Sequence, residues 1–249
     1  MPITIYAILE SSVANESISD TIELLSEQSR IQLNLLSING LTAIVSTKTT
    51  TLSTICQEEV IIYAGIIDAI AQQYSILPMR YGSVVESYMD VKTLLEKNSD
   101  SFIKVLHKVM NKEEYSLRLL FSREHQDSHL NEERVTVAQS LPEILQGDTE
   151  SKKYLLDKYR KHIIEEKRAK YIKDIQSTFI RDLQKITEFV EFNKQVTPAF
   201  IIDAVLLIER SAKGELLAFV AHLQYIYPEH NVMLTGPWAP YNFTQIKLE

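Results

Sequence analysis

Asn39-Gly40 sits between two apolar runs, Ile31 to Ile38 and Leu41 to Ser46. Both central residues of a two-residue hairpin turn need positive φ, which Asn and Gly tolerate, so the pair closes a β-hairpin and defines a strand on either side. Upstream, Ile3 to Leu9 is rich in β-branched and aromatic residues and has strand length. Between them, Asn15 or Ser17 is placed to cap a helix through about Glu27, with Ile18, Ile22 and Leu25 on one face. Downstream come a helix from about Ser53 to Tyr74 and a short strand, Ile76 to Val85, holding Pro78 and Gly82. A helical stretch follows over Tyr88 to Met110, broken near Asn98-Ser99, then a strand over Glu114 to Phe121. The order β-α-β-β-α-β predicts an α+β chain whose first domain is ferredoxin-like: a split-βαβ antiparallel sheet with helices on one face.

Ser122 to Glu133 is polar almost throughout and marks the domain boundary, giving residues 1–124 and 125–249. Val135 to Leu145 has no clear class. Beyond Gly147-Asp148, apolar residues recur at three- and four-residue spacing from Leu155 through Ile163, Ile175, Phe179 and Leu183 to Val190. This is the stripe of one long helix, about Thr149 to Asn193. At 1.5 Å per residue it would reach about 65 Å, which predicts a bend or break. Pro198 ends that region, and Ala199 to Glu209 reads as a buried strand. Ser211 is placed to cap a helix through about Tyr227, and Val232 to Thr235 reads as a last short strand. The second domain is therefore α+β with a long helix and a Pro/aromatic tail from about 236.

Several chemistries lack their sequence signatures. Six glycines in 249 residues leave no Gly-rich phosphate loop, and neither nucleotide fingerprint occurs. No nucleophile elbow is present, and the lone cysteine, Cys56, reads as a small buried hydrophobe rather than a reactive thiol. His125 and His129 have a metal-ligand spacing but lie in a polar linker with no third ligand nearby. No cofactor is expected. The net charge of −7 disfavours nucleic acid. No basic leader precedes the first strand and no apolar run is long enough to span a lipid membrane, which predicts a cytoplasmic protein. One segment runs against the overall charge. From Lys152 to Lys173, nine basic residues face only Asp157, Glu165 and Glu166, a local +6. It reads as a solvated helix face or as a docking face for an acidic partner.

Two motifs carry the most specific signal. The first is Ile76-Leu77-Pro78-Met79-Arg80-Tyr81-Gly82. Pro78 suits a strand start or edge, Arg80 within an apolar strand calls for a carboxylate or carbonyl partner, and Gly82 admits positive φ. The second is Leu234-Thr235-Gly236-Pro237-Trp238-Ala239-Pro240-Tyr241-Asn242-Phe243, an extended, stiff segment bearing three aromatic anchors. Trp238, Tyr241 and Phe243 either fold back on their own chain or contact a partner.

Together these motifs resemble the gas vesicle protein F/L family, accessory proteins with a Leu-Pro-x-Arg-aromatic-Gly strand and a Gly-Pro-Trp-Pro-Pro-Tyr-x-Phe segment. Leu41-Thr42-Ala43-Ile44-Val45-Ser46 and Glu114-Tyr115-Ser116-Leu117-Arg118 are similar to further strands of that family. Ala239 departs from the pattern, replacing a proline. So does Tyr63, standing where many members carry a histidine. The resemblance implies a non-enzymatic accessory or assembly protein that associates with gas vesicles. Its implied partners are the small, very hydrophobic shell protein and other accessory proteins. The residues it marks for partner binding or structure are Pro78, Arg80, Tyr81, Gly82, Gly236, Pro237, Trp238, Pro240, Tyr241 and Phe243. A small-molecule-sensing regulator built on ferredoxin-like domains is the alternative, and would need a convergent polar pocket.

Overall fold

The computed structural model describes residues 1–12, 16–47, 57–121, 150–193 and 200–246. The expectations for Asn15, Cys56, His125, His129, Val135 to Leu145, Gly147, Pro198 and the 124/125 boundary fall outside them. The described chain holds two antiparallel sheets and six α-helices. It divides into two compact units. Unit 1 is Met1–Tyr115, Leu207–Ser211 and Thr235–Glu249; unit 2 is Ser116–Leu206 and Ala212–Leu234.

In unit 1, β1 (Ile3–Glu10) leads to α1 (Glu16–Ser29), then to the hairpin β2 (Leu33–Ile38) and β3 (Leu41–Ser46). Asn39 and Gly40 have φ of 49° and 81°, the turn the sequence called for. Next come α2 (Gln57–Gln73), β4 (Leu77–Pro78), β5 (Val84–Val85), α3 (Tyr88–Lys97) and α4 (Ser99–Val109). The sheet order is β2-β3-β1-β4, with β5 also on β1. The expected single strand over Ile76 to Val85 is thus two short ones joined by a turn, in which the Ser83 N–H donates to Arg80 O at 3.0 Å.

Both faces of this sheet are covered, which corrects the expectation of helices on one face. Tyr6, Ala7, Leu9 and Ile44 pack with Ile18 and Ile22 of α1 and Tyr63, Ile66 and Ile70 of α2. On the other face, Ile3, Ile5, Ile8, Ala43 and Val45 meet Val91 and Leu95 of α3 and Phe102 and Leu106 of α4. The cause is in the strands: β1 and β3 carry apolar residues on both sides of the pleat, and each buried one contributes about 1.5–3 kcal/mol. A register shift between Ile5 and Ala7 in the β1–β3 ladder turns Tyr6 and Ala7 to the same face. The α3–α4 break falls at Asn98, as the sequence suggests. Its side-chain amide donates to Leu94 O at 3.0 Å, while its carbonyl receives the Phe102 N–H at 2.9 Å.

Unit 2 holds most of β6 (Lys112–Phe121), α5 (Glu150–Leu183), β7 (Val190–Phe192), most of β8 (Phe200–Glu209), α6 (Lys213–Ile226) and the start of β9 (His230–Trp238). Its sheet runs β7-β8-β6-β9. α5 is one unbroken helix of 34 residues, so the expected break is absent. It is shorter than expected because the chain turns after Leu183 and Val190 enters β7 instead. At 1.5 Å per residue it measures about 51 Å. Ile175, Phe179 and Leu183 of α5 are buried, and Phe179 meets Phe219 of α6 at 5.5 Å between ring centroids. Neither predicted serine cap forms. Ser17 lies inside α1 with its hydroxyl 3.0 Å from that of Tyr74, and α6 starts from Ala212 after a 3-10 turn, with no side-chain cap.

Candidate functional site

The two motifs come together in unit 1, around a hydroxyl that neither contains. Tyr63 of α2 is buried, stacks on Tyr6 at 4.8 Å and meets the edge of Tyr81 at 5.3 Å. Its phenol oxygen lies 3.1 Å from Ile5 O, 2.9 Å from Met79 O and 3.1 Å from Arg80 O. One hydroxyl proton thus serves three carbonyls, ties the β1 bulge to the Leu-Pro segment, and donates to one of them at a time. Burial drives the Tyr63 pKa well above the ordinary phenol value, with the Tyr241 and Tyr6 phenols adding to the rise.

Pro78 occupies β4, at the edge of the sheet, as a proline there requires. Gly82 has φ of 85° in the following turn. The Tyr81 hydroxyl donates to Glu59 Oε2 at 3.2 Å. Arg80 is a correction. It lies in the turn rather than within an apolar strand, its side chain is exposed, and it forms no ion pair among the described residues. Water solvates its charge, so no partner is required.

The tail segment packs on unit 1. Gly236 has φ of 126°, and a Cβ there would stand 2.8 Å from Glu114 O and 2.9 Å from Tyr115 Cδ1, so only glycine fits. Pro237 follows within β9. Ala239, in place of the family's proline, is fully buried in the α1–α2 face core. Glu114, itself buried, holds the segment beyond: Oε2 accepts the Asn242 N–H at 2.9 Å and Oε1 accepts the Asn242 side-chain amide at 2.6 Å. Pro240 O receives the Thr244 hydroxyl at 2.8 Å, and Phe243 O receives Lys108 Nζ at 3.3 Å. The three aromatic anchors divide. Phe243 is buried, Tyr241 is half-buried with its pKa pushed up to about 12 by burial and by the Asp68 charge, and Trp238 remains 46% exposed. Trp238 is therefore the motif aromatic left facing water.

Between the two motifs lies a surface cleft of about 340 Å³, with Met79, Arg80 and Ser83 on one side and Tyr241 and Gln245 on the other. A second cleft of about 280 Å³ is lined by Glu10, Tyr74 and Arg210. There Arg210 closes the end of α2, donating to the Ala71 and Gln72 carbonyls. Among the described residues, no group of three or more His, Cys, Asp or Glu side chains could hold a metal, and no helix is long and apolar enough to cross a membrane.

What the sequence reading missed is on the helix surfaces. α6 carries Gly214, Leu217, Ala218, Ala221 and Tyr225 along one exposed face. Leu217 is 50% and Tyr225 83% exposed. That face bears no charge over three turns, and its small residues let another backbone approach closely. The signal was present, since α6 repeats small and apolar residues at Gly214, Leu217, Ala218, Ala221 and Tyr225 in addition to its buried stripe of Leu216, Val220 and Leu223.

Two antiparallel sheets with helices, an edge proline strand and a tail pinned by a buried glutamate define a mixed α/β protein. The crystal structure of the gas vesicle protein GvpF from Anabaena sp. PCC7120 superposes on it with a TM-score of 0.75, at 16% identity, covering 99% of this chain and 97% of that one. GvpF from Microcystis aeruginosa gives a TM-score of 0.72 at 14% identity, covering 98% and 99% respectively. A search of curated protein sequences finds no match. The profile of the family described as gas vesicle synthesis protein GvpL/GvpF matches residues 3–245. The chain belongs to that family of gas vesicle proteins.

Proposed function

We propose that this chain is a gas vesicle assembly factor that binds the hydrophobic shell protein, preventing its aggregation or seeding its ordered assembly, and that it acts by contact rather than catalysis. The observation that carries the reading is the exposed, uncharged face of α6, from Gly214 to Tyr225. An isolated apolar helix face in water marks a contact surface, and a shell subunit with apolar surface of its own is the client such a face suits. Trp238 offers a second, smaller contact in unit 1. In this reading Pro78, Tyr81, Gly82, Gly236, Pro237, Pro240, Tyr241 and Phe243 serve the structure, holding the tail in place. Other accessory proteins of the vesicle are the remaining partners, the protein works in the cytoplasm and at the vesicle that gives buoyancy, and it stays there as a minor component.

The order β2-β3-β1-β4, with α1 and α2 as the two crossovers, supports reading unit 1 as a ferredoxin-like sheet to which α3 and α4 have been added. α5 and α6 beside the second sheet support an α+β second domain.

The test is co-expression of the shell protein with and without this chain. Soluble shell protein that co-purifies with the chain is expected, with both signals reduced by Leu217→Glu. A shell protein equally insoluble in both cases, with no complex recovered, overturns the proposal.

A further inference from the structure

The charge of this molecule is segregated by element. α1 and α2 carry Glu16, Asp20, Glu23, Glu27, Glu58, Glu59 and Asp68 and no lysine or arginine. The two helices lie side by side in unit 1: the Ser17 hydroxyl is 3.0 Å from the Tyr74 hydroxyl, just beyond α2, and the Thr21 hydroxyl reaches Gln73 at 3.5 Å. Set into this acidic layer are apolar side chains open to water. Leu24 is 54% and Ile61 62% exposed, with Ile62 beside them and no Cβ at Gly65 to keep a neighbour away. The N-terminal half of α5, in unit 2, has the opposite character. Lys158 and Lys161 are exposed there among exposed Tyr154, Leu155 and Tyr159, and Lys167, Lys170 and Lys173 continue the basic run. Lys161 makes a weak surface ion pair with Asp157 at 3.0 Å.

An acidic face studded with apolar side chains and a basic face studded with aromatic ones have matching chemistry. We propose that the α1–α2 face of one copy of this chain docks against the N-terminal half of α5 of a second copy. Burying Leu24 and Ile61 against Tyr154, Leu155 and Tyr159 supplies the attraction. The opposed charges set the pairing and speed encounter. The two surfaces are different patches of one molecule, so the contact is heterologous, and each copy keeps one face of each kind free. It propagates into a ring or an open row rather than stopping at a two-fold dimer. The α6 face takes no part, so self-association and shell-protein binding stand or fall separately.

The test uses the full chain alone, by sedimentation velocity over a concentration series at about 50 mM and about 500 mM salt, where screening lengths differ severalfold. Concentration-dependent species larger than the monomer are expected at low salt, with association weakened about tenfold or more at high salt. Lys158→Glu with Lys161→Glu should give monomers at low salt, as should Glu23→Lys with Glu58→Lys, both variants keeping the parent's circular dichroism spectrum. Mixing the two variants should restore association as alternating hetero-oligomers, because each variant's two faces are now complementary to the two faces of the other. Lys92→Glu with Lys97→Glu on α3 changes net charge equally and should leave association intact. Monomers of the parent chain at all concentrations and salts overturn the proposal. So do association indifferent to both reversals and failure of the mixture to recover any species larger than the monomer.

Discussion

The knot around Tyr63 and Gly236 in unit 1 and the exposed face of α6 in unit 2 divide what the family motifs mark from what a partner can reach. In the knot, motif residues are buried, bonded or confined by backbone geometry. Gly236 admits no Cβ, Pro78 sits at a sheet edge, and Phe243 is covered. On α6, Gly214, Leu217, Ala218, Ala221 and Tyr225 follow no recognisable motif, yet they face water. A motif that reads as distinctive in sequence here records a demanding piece of folding. The face proposed for binding is marked only by the uncharged spacing of Gly214, Leu217, Ala218, Ala221 and Tyr225. Substitutions in the knot should therefore lower stability, and substitutions on α6 should leave it alone and change what the protein holds.

The largest effect is expected from Gly236→Ala. The added methyl meets backbone and ring atoms at 2.8 and 2.9 Å, at a φ of 126° that side-chain-bearing residues rarely adopt. A loss of about 3–5 kcal/mol follows from strain and overpacking together, read as a fall in the denaturant midpoint. A variant of parental stability would show that the tail is not pressed against Glu114 and Tyr115. Glu114→Ala comes next. It removes both acceptors of Asn242 and should cost about 2–3 kcal/mol by the same measurement.

Tyr63→Phe should cost less, about 1–2 kcal/mol near neutral pH, since it withdraws one donor from three carbonyls and keeps the ring packing. It also alters the pH dependence. Buried Tyr63 and Tyr241 hold their protons in the fold beyond the ordinary phenol value of 10, Tyr241 up to about 12. The folded state thus binds more protons than the unfolded one above pH 10. The stability these phenols contribute is whole below pH 10; the Tyr241 share is lost as pH climbs through about 12, and the Tyr63 share goes on falling beyond it. The variant lacks the Tyr63 share, so its stability should fall less steeply over that window than the parent's. Equal slopes in urea titrations across the window would show that Tyr63 is not sheltered as described.

The contrast between knot and face also explains what could be read from residues alone. Asn39-Gly40 gave the hairpin because the turn's φ requirement is local, and Asn98-Ser99 marked the α3–α4 junction because the asparagine bonds its own helix end. The covering of both sheet faces was written in the continuous apolar runs of β1 and β3, a pattern whose second face becomes legible only once α3 and α4 are placed. Arg80 misled because its surroundings in sequence are apolar, while the turn that Gly82 permits carries it out to water. The α5 terminus was illegible for a different reason. Ile186 and Val190 keep the helical spacing after the helix has ended, although Ile186 lies in the turn that follows Leu183 and Val190 pairs with Leu206 of β8. The Tyr63 knot was beyond sequence altogether, because its carbonyl partners lie on residues whose side chains say nothing of it.

The smallest stability effect and the clearest functional one belong to Leu217→Glu. The side chain is half exposed on a helix interior, and both residues are good helix formers, so the change should stay within about 0.5 kcal/mol of the parent. The same substitution places a carboxylate in the middle of an uncharged face, where any apolar partner would have to strip water from it without offering a counter-charge. Binding should suffer far more than folding. A parental melting temperature together with loss of shell-protein co-purification would assign the contact to α6. Retained binding in a stable variant would move the contact to the exposed Trp238 in unit 1, where Trp238→Ala is the corresponding substitution. The two variants thus separate the contact sites without disturbing Gly236 or Glu114, and so separate partner recognition from the integrity of the knot.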